Sequence, residues 1–279
     1  MRGLLLIRGL GHSGSTILDL ALGSHPAVIG LGEAVRLLRR PAPGEERRGP
    51  AQLRGELRHE RRCTCGEVAD SCPVWGPLLE WLPAHDDLPL EAKVLQLVEQ
   101  VNRLPEATGI EWLVDSFQDD LLLPRRTLAG LEIRLLFLVR DARSWVHSRS
   151  RGAGGPLASC RPLARWWRVN RRIEAQLRGA AKPLFVLGYE ELALAPEAAL
   201  ARLCDWLDLP FAPSMLTPGE ASRSHVLSGN RMRFDPERRA RIRYDGAWLA
   251  SQAWLPRLIP LLPPVAAMQR RLVYGNRLL

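Results

Sequence analysis

The run Gly9-Leu-Gly-His-Ser-Gly-Ser-Thr16 carries the first chemistry legible in the chain. Gly9 and Gly14 stand at the Gly-x4-Gly spacing of a phosphate loop, after the apolar run Leu4–Ile7 and before a helical pattern. Glycine lets a backbone come close to an anion, and the N–H groups at a helix start hold it. Ser15 stands where a nucleoside triphosphatase has its lysine, so a triphosphate is poorly served here. A single 5′-phosphate carrying another small anionic group is served better. The competing reading is a Gly/Ser turn before an ordinary helix. Glu33 follows a second apolar run and falls at the same carboxyl edge, where ligands of α/β sheets gather. A carboxylate there suits a general base, which must lie within about 3 Å of the proton it takes and titrate closer to neutrality than usual. Its plain alternative is a helix-start glutamate. His12 can donate a hydrogen bond or a proton if it titrates near neutrality, or it only orders the loop. Arg140 closes another apolar run, and Ser148 lies eight positions further on, two turns into a helical pattern. A guanidinium fork and a hydroxyl suit a phosphate. His59, Cys63, Cys65 and Cys72 offer four potential metal ligands. Their spacing is not that of a standard knuckle, and a metal, a disulfide and free thiols all stay open.

The elements that must position these residues follow from periodicity. Strands are expected at 4–8, 27–31, 112–115, 134–139 and 183–188. Helices are expected at 15–24, within 75–108 (especially 90–104), at 142–151, at 162–178 with Trp166 and Trp167, and at 196–207. His25-Pro26 ends the first helix. Strands alternating with helices predict an α/β, P-loop-like three-layer fold with a central, mainly parallel sheet flanked by helices. Residues 35–62 hold nine arginines against four glutamates, with prolines and glycines, and read as a mobile basic connection or cap. The polar stretch 220–246 has no clear period and reads as a loop or lid. One domain over 1–279 is expected, with a cap or insertion at about 35–110.

At 279 residues, 46% hydrophobic and 25% charged, the composition is that of an ordinary globular protein. No run of about 20 apolar residues suggests a spanning helix. The N-terminal apolar run is too short for a signal peptide, so the cytoplasm is expected. An odd count of 5 cysteines without an export signal argues against a disulfide framework. The net charge of +9 fits an anionic ligand, but no aromatic-and-basic pattern for nucleic acid is present.

Two motifs give these observations a family. The stretch Gly11-His-Ser-Gly-Ser-Thr16, Gly23-Ser-His-Pro26, Gly32-Glu33 resembles the 5′-phosphosulfate loop of sulfotransferases that use 3′-phosphoadenosine 5′-phosphosulfate (PAPS). It is closer to the bacterial and tyrosylprotein branch than to the classical cytosolic enzymes. Leu138-Val-Arg140-Asp-Ala-Arg143 through Ser148 is similar to the family's 3′-phosphate motif. Tyr189-Glu-Glu-Leu, with Pro196 and the helix ending Trp206-Leu-Asp-Leu-Pro210, agrees, so the likeness runs from residue 4 to about 211. The resemblance implies sulfuryl transfer from PAPS to a hydroxyl or amine acceptor by in-line displacement, with no metal required and 3′,5′-adenosine bisphosphate (PAP) as product. It implies Glu33 as general base and His12 at the leaving oxygen. It implies a cofactor site of Gly11, His12, Ser13, Gly14, Ser15, Thr16, Arg140, Ser148 and Tyr189, closed by the loop with Arg231 and Arg233. Asp141 and Arg143 read as caps and tethers of the helix they begin. The sequence departs from the family at His12 and Gln118, where relatives carry cations; Arg8, Arg125 or Arg126 are the candidates to compensate. A non-catalytic binder of PAPS or PAP stays open beside the enzyme, as does a P-loop nucleotide kinase, against which the missing loop lysine counts. The acceptor is not legible, and neither is the oligomeric state.

Overall fold

A computed structural model describes residues 1–41, 49–116, 128, 130–150, 156–250 and 258–278. Gln118, Arg125 and Arg126 lie outside the described residues, so the expectations placed on them are not addressed. The strands are β1 (Gly3–Arg8), β2 (Val28–Gly30), β3 (Trp112–Asp115), β4 (Glu132–Val139) and β5 (Leu184–Gly188), in the sheet order β2-β3-β1-β4-β5. The pairs β1–β3, β2–β3 and β4–β5 are parallel. Unbroken apolar runs form the inner strands because a parallel sheet covered on both faces needs apolar side chains on both. Thus Leu4 to Ile7 and Leu135 to Val139 are buried throughout. The fold is α/β, a mainly parallel sheet flanked by helices, as the sequence predicts.

The helices are α1 (Ser15–Leu22), α2 (Ala34–Leu38), α3 (Trp75–Trp81), α4 (Leu90–Asn102), α5 (Ala142–Ser150), α6 (Cys160–Gly179), α7 (Tyr189–Leu194), α8 (Pro196–Trp206), α9 (Pro218–Ala221), α10 (Pro236–Ala240) and α11 (Pro263–Leu272). Helix α1 ends at Leu22, two residues before the expected 24; beyond it Ser24 Oγ donates to the Leu20 carbonyl, and His25 Nδ1 accepts from the Ala27 N–H at 3.0 Å. Helix α6 buries Trp166, Asn170, Ile173, Glu174 and Leu177, a single stripe at helical spacing, and leaves its arginines outside.

Two stretches are more regular than the sequence suggests. The segment after Glu33 forms α2, whose residues Ala34, Val35, Leu37 and Leu38 are buried, and short 3-10 turns follow at Gly49–Arg54 and Glu56–His59. The 220–246 stretch holds a 3-10 turn at Arg231–Phe234 and helix α10. Side chains rather than periodicity start both: Asn230 Oδ1 accepts from the Met232 N–H, and Asp235 Oδ1 accepts from Glu237 and Arg238, with Pro236 at the first helical position.

The described residues divide into two compact units, each built from three separate segments. The first comprises 1–6, 16–134 and 212–241; the second comprises 7–15, 135–211 and 242–279. No helix among the described residues is long and apolar enough to cross a membrane.

Candidate functional site

In the second unit, β1 runs into the loop Gly9–Gly14, and α1 starts directly after it. The first turn of α1 contains no acidic side chain, so its N–H groups meet no anion of their own helix. His12 is exposed and has φ 70°, a left-handed conformation uncommon for a side-chain-bearing residue and frequent at ligand clamps. Gly14 has φ +95°, and a Cβ there would lie 2.3 Å from the Tyr189 ring. Tyr189 therefore floors the loop, and glycine is required above it. Ser13 Oγ donates to the Leu10 carbonyl at 2.6 Å and closes the turn from within.

Strand β4 delivers Arg140 to this loop. Its Nη1 donates to the His12 carbonyl at 3.0 Å, and its Nη2 meets Asp245 Oδ2 at 2.6 Å. Trp166 Nε1 donates to the Arg140 carbonyl and fixes the backbone behind it. Trp166 is fully buried, which makes it a core residue rather than a stacking platform. Helix α5 lies along the same loop: Trp145 Nε1 donates to the Gly11 carbonyl at 2.7 Å, and Arg149 Nη1 is 3.2 Å from His12 Nε2. Ser148 is half-buried on this helix. Asp141 caps α5 by accepting from the Arg143 N–H at 2.7 Å and pairs with the Arg143 guanidinium at 2.6 Å. Behind them Glu190 Oε2 accepts from the Asp141 N–H. Burial, followed by the Asp141 charge, pushes the Glu190 carboxyl up to about 8.

In the first unit, Glu33 stands at the N-terminal end of α2 without capping it. Its Oε2 accepts from Ser228 Oγ at 2.8 Å and lies 3.7 Å from Arg36. Burial raises its carboxyl above the usual range, while Ser228 and Arg36 pull it down. Two buried acidic side chains set the turn that presents it. Asp19 Oδ2 accepts from the Gly32 N–H at 3.0 Å, and Asp115 Oδ1 accepts from the Val35 N–H at 2.8 Å. Glu33, Arg36, Arg61, Ser228 and Arg233 line a cavity of about 180 Å³. Thr16 Oγ1 accepts from the Asn230 N–H at 3.4 Å, which ties the start of α1 to the Ser228–Arg233 segment.

Arg233 is 1% exposed and donates to the carbonyls of Leu227, Gly229 and Asn230. In this structure its fork braces this turn; Arg231 is exposed. His59 is not grouped with the cysteines, because it pairs with Asp70 at 2.6 Å. His225 takes that place beside Cys63, Cys65 and Cys72. Asp19, Ser228 and Asp245 are site residues that sequence reasoning did not single out. Asp19 alone left a signal, as the one acid inside the apolar face Ile17, Leu18, Ala21 and Leu22.

Residues 131–213 match the model of the sulfotransferase family. No protein of curated function matches the chain. Among solved structures, the sulfotransferase domain from the curacin biosynthetic pathway is similar, at 20% identity and a TM-score of 0.61, over 98% of each chain. The sulfotransferase domain from the Synechococcus PCC 7002 olefin synthase is 20% identical with a TM-score of 0.42, over 93% of this chain and 88% of that one. The first likeness establishes a shared fold.

Proposed function

We propose that this chain, which carries the sulfotransferase-family pattern in residues 131–213 and shares its fold with a sulfotransferase domain, moves the sulfuryl group of PAPS to a hydroxyl or amine acceptor. The observation that carries this reading is the Arg140 contact with the phosphate loop. One guanidinium reaches the His12 carbonyl of a loop that lacks a lysine at Ser15. Such a pairing serves two separated monophosphates better than a triphosphate with magnesium. The residues fit the group on structural grounds: the loop has left-handed positions at His12 and Gly14, and the first turn of α1 carries no acid.

PAPS supplies the sulfuryl group on a bisphosphate leaving group. The N–H groups of the loop and of the first turn of α1 hold the 5′-phosphate side and stabilise the charge that grows there. His12 donates to the leaving oxygen. Arg140 and Ser148 hold the 3′-phosphate, and Arg231 is the cation of the closing segment. Glu33 takes the proton of the acceptor as the acceptor's oxygen or nitrogen bonds to sulfur. Every charge in this scheme is met by protein groups, so the reaction as written uses no metal. Cap residues within about 35–110 choose the acceptor.

Calorimetry with 3′,5′-adenosine bisphosphate, ATP with magnesium, and AMP tests the site. Micromolar binding of the bisphosphate is expected, weakened at least ~10-fold in Arg140→Ala, since a charge-assisted hydrogen bond is worth about 1.5–3 kcal/mol. Tighter binding of ATP with magnesium would overturn the assignment in favour of a kinase. Turnover of PAPS in an acceptor screen then separates an enzyme from a non-catalytic binder.

A further inference from the structure

Outside the proposed reaction, the first unit gathers three thiols and one imidazole. The ligand atoms of Cys63, Cys65, Cys72 and His225 all lie within 4.8 Å of one another. Cys65 Sγ is 3.7 Å from Cys72 Sγ, and Cys72 Sγ is 3.3 Å from His225 Nδ1. A tetrahedral zinc with Zn–S near 2.3 Å and Zn–N near 2.0 Å spaces its ligand atoms by about 3.5–3.8 Å. The thiols are free, and the Cys65–Cys72 separation of 3.7 Å is far above a disulfide bond of about 2.05 Å. We infer that Cys63, Cys65, Cys72 and His225 form a structural zinc site of the Cys₃His type.

The surrounding backbone is built to hold these four groups. Gly66 N–H donates to the Cys63 carbonyl, and Cys63 N–H donates to the Glu67 carbonyl, so Cys63 and Cys65 share one tight turn. Gly66 has φ +101°, which that turn requires. Cys72 enters from the next turn, with its N–H on the Val68 carbonyl. The histidine arrives from more than 150 residues away and is gripped on both sides: Thr64 Oγ1 donates to the Ser224 carbonyl and accepts from the Val226 N–H at 2.9 Å. Trp75 Nε1 donates to the His225 carbonyl at 2.6 Å. Nδ1 is turned to the sulfurs, and His225 Nε2 faces Glu106, whose Oε1 lies 3.9 Å away. Cys63, Cys72 and His225 are 1%, 0% and 5% exposed, and four protein ligands leave no open position for chemistry. The zinc joins the 63–72 segment to the irregular segment that leads into Ser228.

Metal analysis of the full chain, purified under reducing conditions without chelator, tests the site. About one zinc per chain is expected, and cobalt put in its place should give the intense thiolate-to-metal absorption of a tetrahedral site. His225→Ala and Cys65→Ser should lose the zinc, and His59→Ala should keep it. Should the ligand variants fail to fold, cobalt uptake by the unaltered chain and zinc retention by His59→Ala still decide. A chain with no zinc and no cobalt spectrum would overturn the site, as would a Cys65–Cys72 disulfide found by mass mapping or zinc lost equally in His59→Ala. These outcomes do not depend on whether the protein transfers sulfate.

Discussion

Glu33, the proposed base, sits in surroundings that suit proton transfer. Burial lifts it above the ordinary range, and the Ser228 hydroxyl, 2.8 Å from Oε2, holds its direction. Glutamine at this position keeps an acceptor for Ser228 but takes no proton. Glu33→Gln should therefore lower turnover by about 10²–10⁴-fold and leave bisphosphate affinity within about twofold. The base works only when ionised, so activity should rise with pH through its raised pKa, and the variant should lose that limb. A variant that keeps turnover within about fivefold would remove Glu33 from the mechanism. Arg140 illustrates a different kind of preparation. Asp245 already occupies its fork at 2.6 Å, so under the proposed assignment an incoming phosphate displaces a carboxylate rather than water. That exchange trades one anion for another and favours a ligand of higher charge.

The elements were legible to the extent that burial writes a pattern. Leu135 to Val139 reads as a strand because both faces are covered, and α6 reads as a helix because one stripe is buried. Helices α2 and α10 have five residues each, too few to show a period, and their signals were local, as in Asp235-Pro236. The phosphate loop was legible from its glycines because backbone conformation demands them. The partners were not: Arg140 and Asp245 are 105 residues apart, and Cys72 and His225 are 153 apart. Such pairs are set by topology, which no local window contains. Gly14 tests the loop as an element. Its φ of +95° and its 2.3 Å approach to Tyr189 leave no place for a methyl group. Gly14→Ala should weaken bisphosphate binding at least ~10-fold by calorimetry, and adding Tyr189→Ala should not restore it, because the dihedral strain of about 1–2 kcal/mol remains. Full recovery in the double variant would show that the clash alone matters.

Stability belongs to the whole molecule, and its pH dependence follows from acids kept neutral inside. Glu190 is held up to about 8 and Asp19 up to about 7, each chiefly by burial. The unfolded chain ionises both near their ordinary values of 4.5 and 3.8. Across the interval the folded state binds more protons, so stability is greatest below the ordinary values and falls as pH rises towards the folded ones. Glu190→Gln keeps an acceptor for the Asp141 N–H and removes the titration. Urea unfolding at pH 5 and pH 8 should show a loss smaller by about 2 kcal/mol or more in the variant. An unchanged difference would mean that Glu190 is ionised in the folded protein. The segmented make-up of the two units has a consequence for synthesis. The first unit is completed only by residues 212–241 and the second only by 242–279. As the chain leaves the ribosome, β1 and the glycine loop after it emerge while the segments that complete both units are still untranslated. Neither unit can close as a contiguous early domain, so nascent apolar strands wait exposed, and chaperone engagement during translation becomes a property of the fold's connectivity rather than of its stability.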